Sequence, residues 1–169
     1  TLARAGLDVV LVDQQAFPRD KVCGDGLIPD AHRALQRLGL LDAVLARAQS
    51  VKHVGVIGPR GGRIDVPGTL AVLPRRELDL LLCSAAAEAG ARMHAPVRFV
   101  GVIEEDEGQT TRVVGVRLRS GDTTRELRAA WVLIASGAPP QALQAAGMCE
   151  RRTPTGVAMR GYVKNPALV

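Results

Sequence analysis

The chain has 169 residues, 47% of them hydrophobic, which is enough to bury a core without disulfides or metals. The formal net charge is +5, yet the 22 lysines and arginines are scattered and aromatic residues make up only 2% of the chain. This composition argues against stacking-based recognition of nucleic acid. No stretch approaches the roughly 18 apolar residues of a membrane span, and none resembles a secretory signal.

The three cysteines, at positions 23, 83 and 149, are odd in number and far apart. This spacing argues against a disulfide framework and against a zinc site, and the three histidines also lack metal-ligand spacing. We therefore expect reduced thiols and no bound metal. The lack of a secretory signal and of a membrane span makes a soluble, cytoplasmic protein the expectation.

The first elements follow from the apolar pattern. "TLARAG" is typical of a last helical turn closed by Gly6, and the continuous apolar run at residues 9–12 predicts a parallel strand covered on both faces. Residues 29–38 predict a short helix that begins with Pro29 and is stopped by Gly39.

The middle of the chain predicts a hairpin, a helix and a meander. "VKHVGVIGPRGGRIDVPG" indicates two extended segments joined by a glycine-rich turn, and leucines and alanines at helical spacing predict a helix over residues 78–89. From 97 to 129 alternating residues predict a three-stranded antiparallel meander with a turn at "SGD". "WVLIASG" then predicts a second parallel strand that leads into a tight turn, and "TGVAMRGYVKNP" the start of another strand.

Asp13 ends the first predicted strand. In a dinucleotide-binding unit a carboxylate at this point accepts hydrogen bonds from the ribose hydroxyls of an adenine nucleotide, about 20 residues after a glycine-rich turn. That turn would precede Thr1. Taken alone, Asp13 is equally well explained as a solvated aspartate at a strand end.

Two longer segments carry a resemblance. "LARAGLDVVLVDQQAFPRDKVCGDGL" and, later, "VLPRRELDLLLCSAAAEAGA" resemble the FAD-binding part of the geranylgeranyl reductase family, within the flavoprotein aromatic hydroxylases. The resemblance covers nearly the whole chain in order. It implies an α/β fold, a Rossmann-like FAD-binding domain with a parallel sheet and the three-stranded meander. On this view residues 1–169 are part of that domain, truncated at both ends, and we expect the chain alone to bind FAD weakly and to catalyse nothing.

The resemblance also implies roles for individual residues. Asp13 would hold the ribose, and Arg19 and Lys21 would lie on the phosphate side of the FAD. Arg75 matches an arginine directed at the ribityl and pyrophosphate region, and the backbone of Val97 would meet the adenine. A guanidinium suits phosphate because it offers a fork of donors. Asp79 matches an acid in the following helix, and Arg76 is expected to be a solvated neighbour.

In the same resemblance the "CGDG" loop corresponds to the segment beside the flavin ring. Cys23, Gly24, Asp25 and Gly26 would form a bare loop that lets backbone approach the isoalloxazine, because glycine has no Cβ and tolerates positive φ. Cys23 would lie beside the ring and affect proton delivery to substrate. The alternative is that Cys23 is only a small buried hydrophobic residue.

One motif departs from the hydroxylase pattern. Those proteins carry Ala-Asp-Gly-Ala-x-Ser after the strand, whereas this chain has "ASGAPP" at residues 135–140, so that Ser136 replaces the acid. Gly137 still permits close packing against the cofactor.

The resulting hypothesis is an FAD-dependent oxidoreductase that reduces a double bond of an isoprenoid or hydroxylates an apolar or aromatic substrate, with NAD(P)H as electron donor. An apolar substrate leaves peripheral membrane contact open, and the sequence assigns no oligomeric state. Two alternatives stay open: an NAD(P)-dependent Rossmann dehydrogenase, which explains Asp13 but not the cysteine loop, and a non-catalytic relative that serves as an interaction module.

Overall fold

The computed structural model describes residues 1–153 and 156–165. The strands are β1 (Val10–Val12), β2 (Gly26–Leu27), β3 (Gln49–Ile57), β4 (Arg63–Val72), β5 (Arg92–His94), β6 (Arg98–Glu107), β7 (Thr110–Ser120) and β8 (Thr123–Arg128). The helices are α1 (Pro29–Arg37), α2 (Leu41–Leu45), α3 (Arg75–Glu88) and α4 (Gln141–Ala145), preceded by a single 3-10 turn at Ala3–Ala5.

The chain divides into two compact units. Of the described residues, the first unit contains 1–8, 17–90 and 159–165, and the second contains 9–16, 91–153 and 156–158. The expected combination of a parallel sheet and a three-stranded antiparallel sheet is confirmed, and both lie in the second unit.

In the first unit three helices pack on a small antiparallel sheet of order β2-β4-β3. Its core combines apolar side chains of β2, β4 and all three helices, with Val44 and Leu73 almost completely buried. The predicted end of α1 is confirmed: Gly39 has φ +67°, a left-handed conformation that favours glycine, and its N–H donates to the carbonyl of Gln36.

The predicted hairpin is formed by β3 and β4, with a register shift between Val51 and His53. Its outer part carries two apolar cross-strand pairs, Val54 with Val66 and Val56 with Ile64. All four side chains are exposed, by 48 to 70%. We call these four residues the apolar hairpin face.

In the second unit β1 pairs in parallel with β5, and β6, β7 and β8 form the predicted meander. The alternation in β7 is confirmed, because Val116 and Leu118 are buried whereas Arg117 and Arg119 are exposed. Gly115, on β7, is needed for packing against β8. A Cβ there would lie 2.4 Å from the carbonyl oxygen of Leu127 on β8.

Three local expectations differ from the structure. Residues 131–136 are not assigned to a strand, because within the described ranges no segment pairs with them. Within the described ranges β1 pairs with β5 alone. The side chain of Val12 is accordingly 36% exposed, whereas the sequence predicted a strand covered on both faces. The last predicted strand is not assigned over residues 156–165, and its end residues Thr155 and Pro166 lie outside the described residues.

None of the helices in residues 1–153 and 156–165 combines the length and apolar character that crossing a bilayer requires.

We predict that Gly115→Ala destabilises the meander, because a new Cβ would press on the β8 backbone at Leu127 and Arg128. Overpacking of this kind costs about 1–3 kcal/mol. Urea unfolding measures the loss. Gly62→Ala is the control, since nothing lies within 4 Å of its added Cβ. Equal unfolding midpoints for the two variants would contradict the prediction.

Candidate functional site

Asp79, in the first unit, forms ion pairs with two arginines. The Nε and Nη2 atoms of Arg75, one helical turn earlier on α3, donate to its two carboxylate oxygens at 2.7 and 2.9 Å. Arg19 Nη1 lies 3.1 Å from Asp79 Oδ2, and its guanidinium also lies over the ring of Phe17 at 4.9 Å. The carboxylate is buried, so it must be paired with cations and hydrogen-bond donors. Two cations on one acid leave one unit of positive charge in this cluster.

The two adjacent arginines at the start of α3 differ, as expected. The side chain of Arg75 is 23% exposed and binds Asp79, whereas that of Arg76 is 57% exposed and lies 3.7 Å from the exposed Asp20. Lys21, also half-buried, makes no hydrogen bond or ion pair that involves the described residues. Its charge therefore adds to the positive excess of the unit.

The cysteine loop (residues 23–26) lies in the same unit. An added Cβ at Gly24 or Gly26 would meet nothing within 4 Å, so the backbone of the loop is open to a ligand. Two hydrogen bonds lower the pKa of the Cys23 thiol below its ordinary value. The larger effect comes from the backbone N–H of Asp25 and the smaller from the Arg75 guanidinium. Cys23 is half-exposed, in contrast to the buried side chain of the alternative interpretation.

Arg75 connects these features. Its guanidinium binds Asp79 and Cys23, and its backbone N–H donates to Asp25 Oδ1 at 3.2 Å. The structure therefore brings the predicted cysteine loop, residues 23–26, together with the predicted site residues Arg19 and Arg75 around the start of α3.

Asp13 and Val97 are adjacent in the second unit. The Val97 N–H donates to the Asp13 carbonyl at 2.8 Å, and the Asp13 carboxylate accepts the Gln15 N–H at 2.9 Å. Asp13 follows β1 and is half-exposed, as a ribose ligand at a strand end must be. The Val97 N–H is therefore already used within the protein, and the adenine contact that the resemblance implies for this backbone would have to be made by the carbonyl.

Gly137 also belongs to the second unit. It has φ +78°, so the tight turn predicted after "WVLIAS" is present although the strand before it is not assigned. Ser136 is exposed next to it, where the hydroxylases have an acid.

The donor set fits FAD in charge and in shape. The first unit offers guanidinium donors, an excess of positive charge and a bare glycine backbone, which suit a pyrophosphate and a planar ring. The second unit offers a carboxylate at the end of a parallel strand, which suits ribose hydroxyls.

Two residues near the loop were missed by the sequence analysis. Arg160 and Tyr162 both donate to the buried carboxylate of Asp25. They lie 135 and 137 residues further along the chain, so no local spacing links them to the loop.

Comparisons with known proteins identify the family of the chain. Residues 1–163 match the family model described as "FAD binding domain". Menaquinone reductase of Mycolicibacterium smegmatis is 38% identical over 97% of this chain, and digeranylgeranylglycerophospholipid reductase 2 of Methanopyrus kandleri is 32% identical over 86%. The flavin-dependent brominase Bmp2 has the same fold, with a TM-score of 0.72 over 86% of this chain and 36% of its own at 24% identity.

The chain spans 40% of the length of the first reductase and 35% of the second. The resemblance to the geranylgeranyl reductase group is confirmed, and the nicotinamide-only dehydrogenase is not supported. The chain belongs to the FAD binding domain family.

Proposed function

We propose that this protein is an FAD-dependent oxidoreductase that reduces a carbon–carbon double bond of an isoprenoid lipid. Support comes from two relatives that are reductases by name, one of them of a geranylgeranyl lipid. The observation that carries the proposal is the position of Cys23, whose sulfur accepts the Asp25 N–H and contacts Arg75 beside an open glycine backbone.

In this proposal residues of the first unit bind the pyrophosphate and the flavin ring. Arg19, Lys21 and Arg75 supply positive charge and donors for the pyrophosphate. Gly24 and Gly26 leave room for the flavin ring.

The residues proposed for ribose and adenine belong to the second unit. Asp13 accepts hydrogen bonds from the adenosine ribose, the carbonyl of Val97 meets the adenine, and Gly137 permits close approach of backbone to the cofactor.

Cys23 supplies the proton. When bound, FAD carries out the electron chemistry and its reduced form provides a hydride. Reduction of a double bond also consumes a proton, which must reach the second carbon. The lowered pKa of the Cys23 thiol makes its Sγ a stronger acid than an ordinary cysteine near neutral pH, which suits a general acid.

We also propose a cytoplasmic protein that touches a membrane surface and takes electrons from NAD(P)H. Three reduced thiols, those of Cys23, Cys83 and Cys149, suit a reducing compartment. The apolar hairpin face supports contact with a membrane, where an isoprenoid lipid dissolves.

We predict that Arg75→Gln in the intact protein weakens FAD binding by roughly 10- to 100-fold, because it removes charge-assisted hydrogen bonds worth about 1.5–3 kcal/mol. Arg76→Gln is the matched control, since its exposed side chain loses the same charge. Quenching of flavin fluorescence on titration measures both, with circular dichroism to check the fold. Equal affinities would refute the role of Arg75.

We expect NADPH to bleach the bound flavin of the intact protein in the absence of oxygen, since an oxidoreductase must accept electrons. An isoprenoid lipid should then restore the oxidised absorbance. A flavin that stays oxidised with NADPH and NADH would instead favour the non-catalytic relative. Product that forms only with oxygen would favour hydroxylation.

Ile64→Asp should lower binding to phosphatidylglycerol-containing vesicles roughly tenfold, because a charge replaces a 70% exposed apolar side chain on the apolar hairpin face. Thr111→Asp, an exposed site on β7, controls for the added charge. Co-sedimentation measures both, and equal losses would exclude this face as the contact.

A further inference from the structure

Asp25 has an unusual backbone. Among the described residues it is the one non-glycine residue with a φ in the left-handed region, +59°, and its side chain is only 4% exposed. Glycine adopts this conformation freely, whereas aspartate adopts it only occasionally, where hydrogen bonds hold its short polar side chain. The residues on either side, Gly24 and Gly26, are glycines. A carboxylate at position 25 must therefore be stabilised by specific contacts.

The surroundings of Asp25 supply that constraint. Arg160 Nη1 lies 3.2 and 3.1 Å from its two carboxylate oxygens, and the Tyr162 hydroxyl donates to Oδ2 at 2.5 Å. The Arg160 guanidinium also lies over the Tyr162 ring at 4.5 Å. On the other side the Arg75 N–H donates to Oδ1, and the Asp25 carbonyl accepts the Leu73 N–H.

The same residue faces Cys23 with its backbone. The Asp25 N–H donates to the Cys23 sulfur, and the direction of that N–H depends on the left-handed φ of Asp25. Contacts made by the carboxylate therefore fix the direction of the hydrogen bond made by the amide.

We propose that Asp25, Arg160 and Tyr162 form a clamp that holds the cysteine loop in the conformation in which the Asp25 N–H faces the Cys23 sulfur. The three are positioning residues, because they act on the reaction through Cys23. The inference rests on the proposed function for the role of Cys23 in the reaction, but the clamp itself is a property of this chain.

The backbone N–H of Asp25 and the charge of its carboxylate have opposite effects on the pKa of Cys23. The charged groups that act on Cys23 are Arg75, which favours the thiolate, and the Asp25 carboxylate, which disfavours it. The charged groups that act on the pKa of the Tyr162 hydroxyl are Asp25, Arg160 and Asp20. Loss of the carboxylate charge alone would lower the pKa of Cys23, whereas loss of the directed N–H would raise it.

The test is the pH profile of Cys23 alkylation by iodoacetamide in flavin-free intact protein, resolved by mass spectrometry of the cysteine-containing peptides. Cys149 in the same chain is the internal reference. We expect Tyr162→Phe, which changes no charge and removes one donor from a 66% exposed side chain, to raise the Cys23 midpoint by about half a pH unit or more. Lys164→Gln, in the same segment, should leave it unchanged.

Asp25→Gly separates the clamp from backbone strain, because glycine accepts the left-handed φ but offers no carboxylate. The clamp predicts a rise in the Cys23 midpoint, against the fall expected from the lost charge. A midpoint that falls or stays, or a Tyr162→Phe profile equal to that of Lys164→Gln, would overturn the proposal. Because the alkylation uses no flavin, failure of FAD binding would refute the proposed function and leave this result standing.

Discussion

Asp25 and Asp79 are both buried in the unit that carries the cysteine loop, and a buried carboxylate is tolerated only where cations and donors surround it. Asp79 forms ion pairs with Arg19 and Arg75, and Asp25 accepts hydrogen bonds from two side chains of residues 159–165. Arg75 serves both acids, one with its guanidinium and the other with its backbone N–H. Since breaking a buried pair costs about 3–5 kcal/mol, the conformation of the loop and the start of α3 are fixed together.

Patterns within one element predicted most of the fold. The hairpin, α1, α3 and the meander follow from apolar periodicity and from turns that need glycine, and all of them are present. The strand at residues 131–136 was wrong because strand assignment depends on a neighbour, which an apolar run does not specify. The two-residue strand β2 was not predicted either, since its residues form a strand only by pairing with β4.

The candidate site was predictable to the extent that its residues are close in sequence. The i,i+4 spacing of Arg75 and Asp79 on a helix suits an ion pair, and the glycines around Asp25 indicate an open loop. The sequence could not indicate Arg160 and Tyr162, because only the tertiary fold brings them to the loop. Nor could it show that the Val97 N–H is already used within the protein.

The long separation between Asp25 and Arg160 has a consequence for biogenesis. A ribosome delivers the N-terminal part of a chain first, and contacts between distant residues form late because their loop must close. The acid emerges before its arginine and tyrosine, which follow only after the hairpin, α3 and the meander have been translated. The nascent chain therefore carries its cysteine on an unanchored turn until Arg160 and Tyr162 have emerged, and the thiol reaches its mature chemical character only after that point.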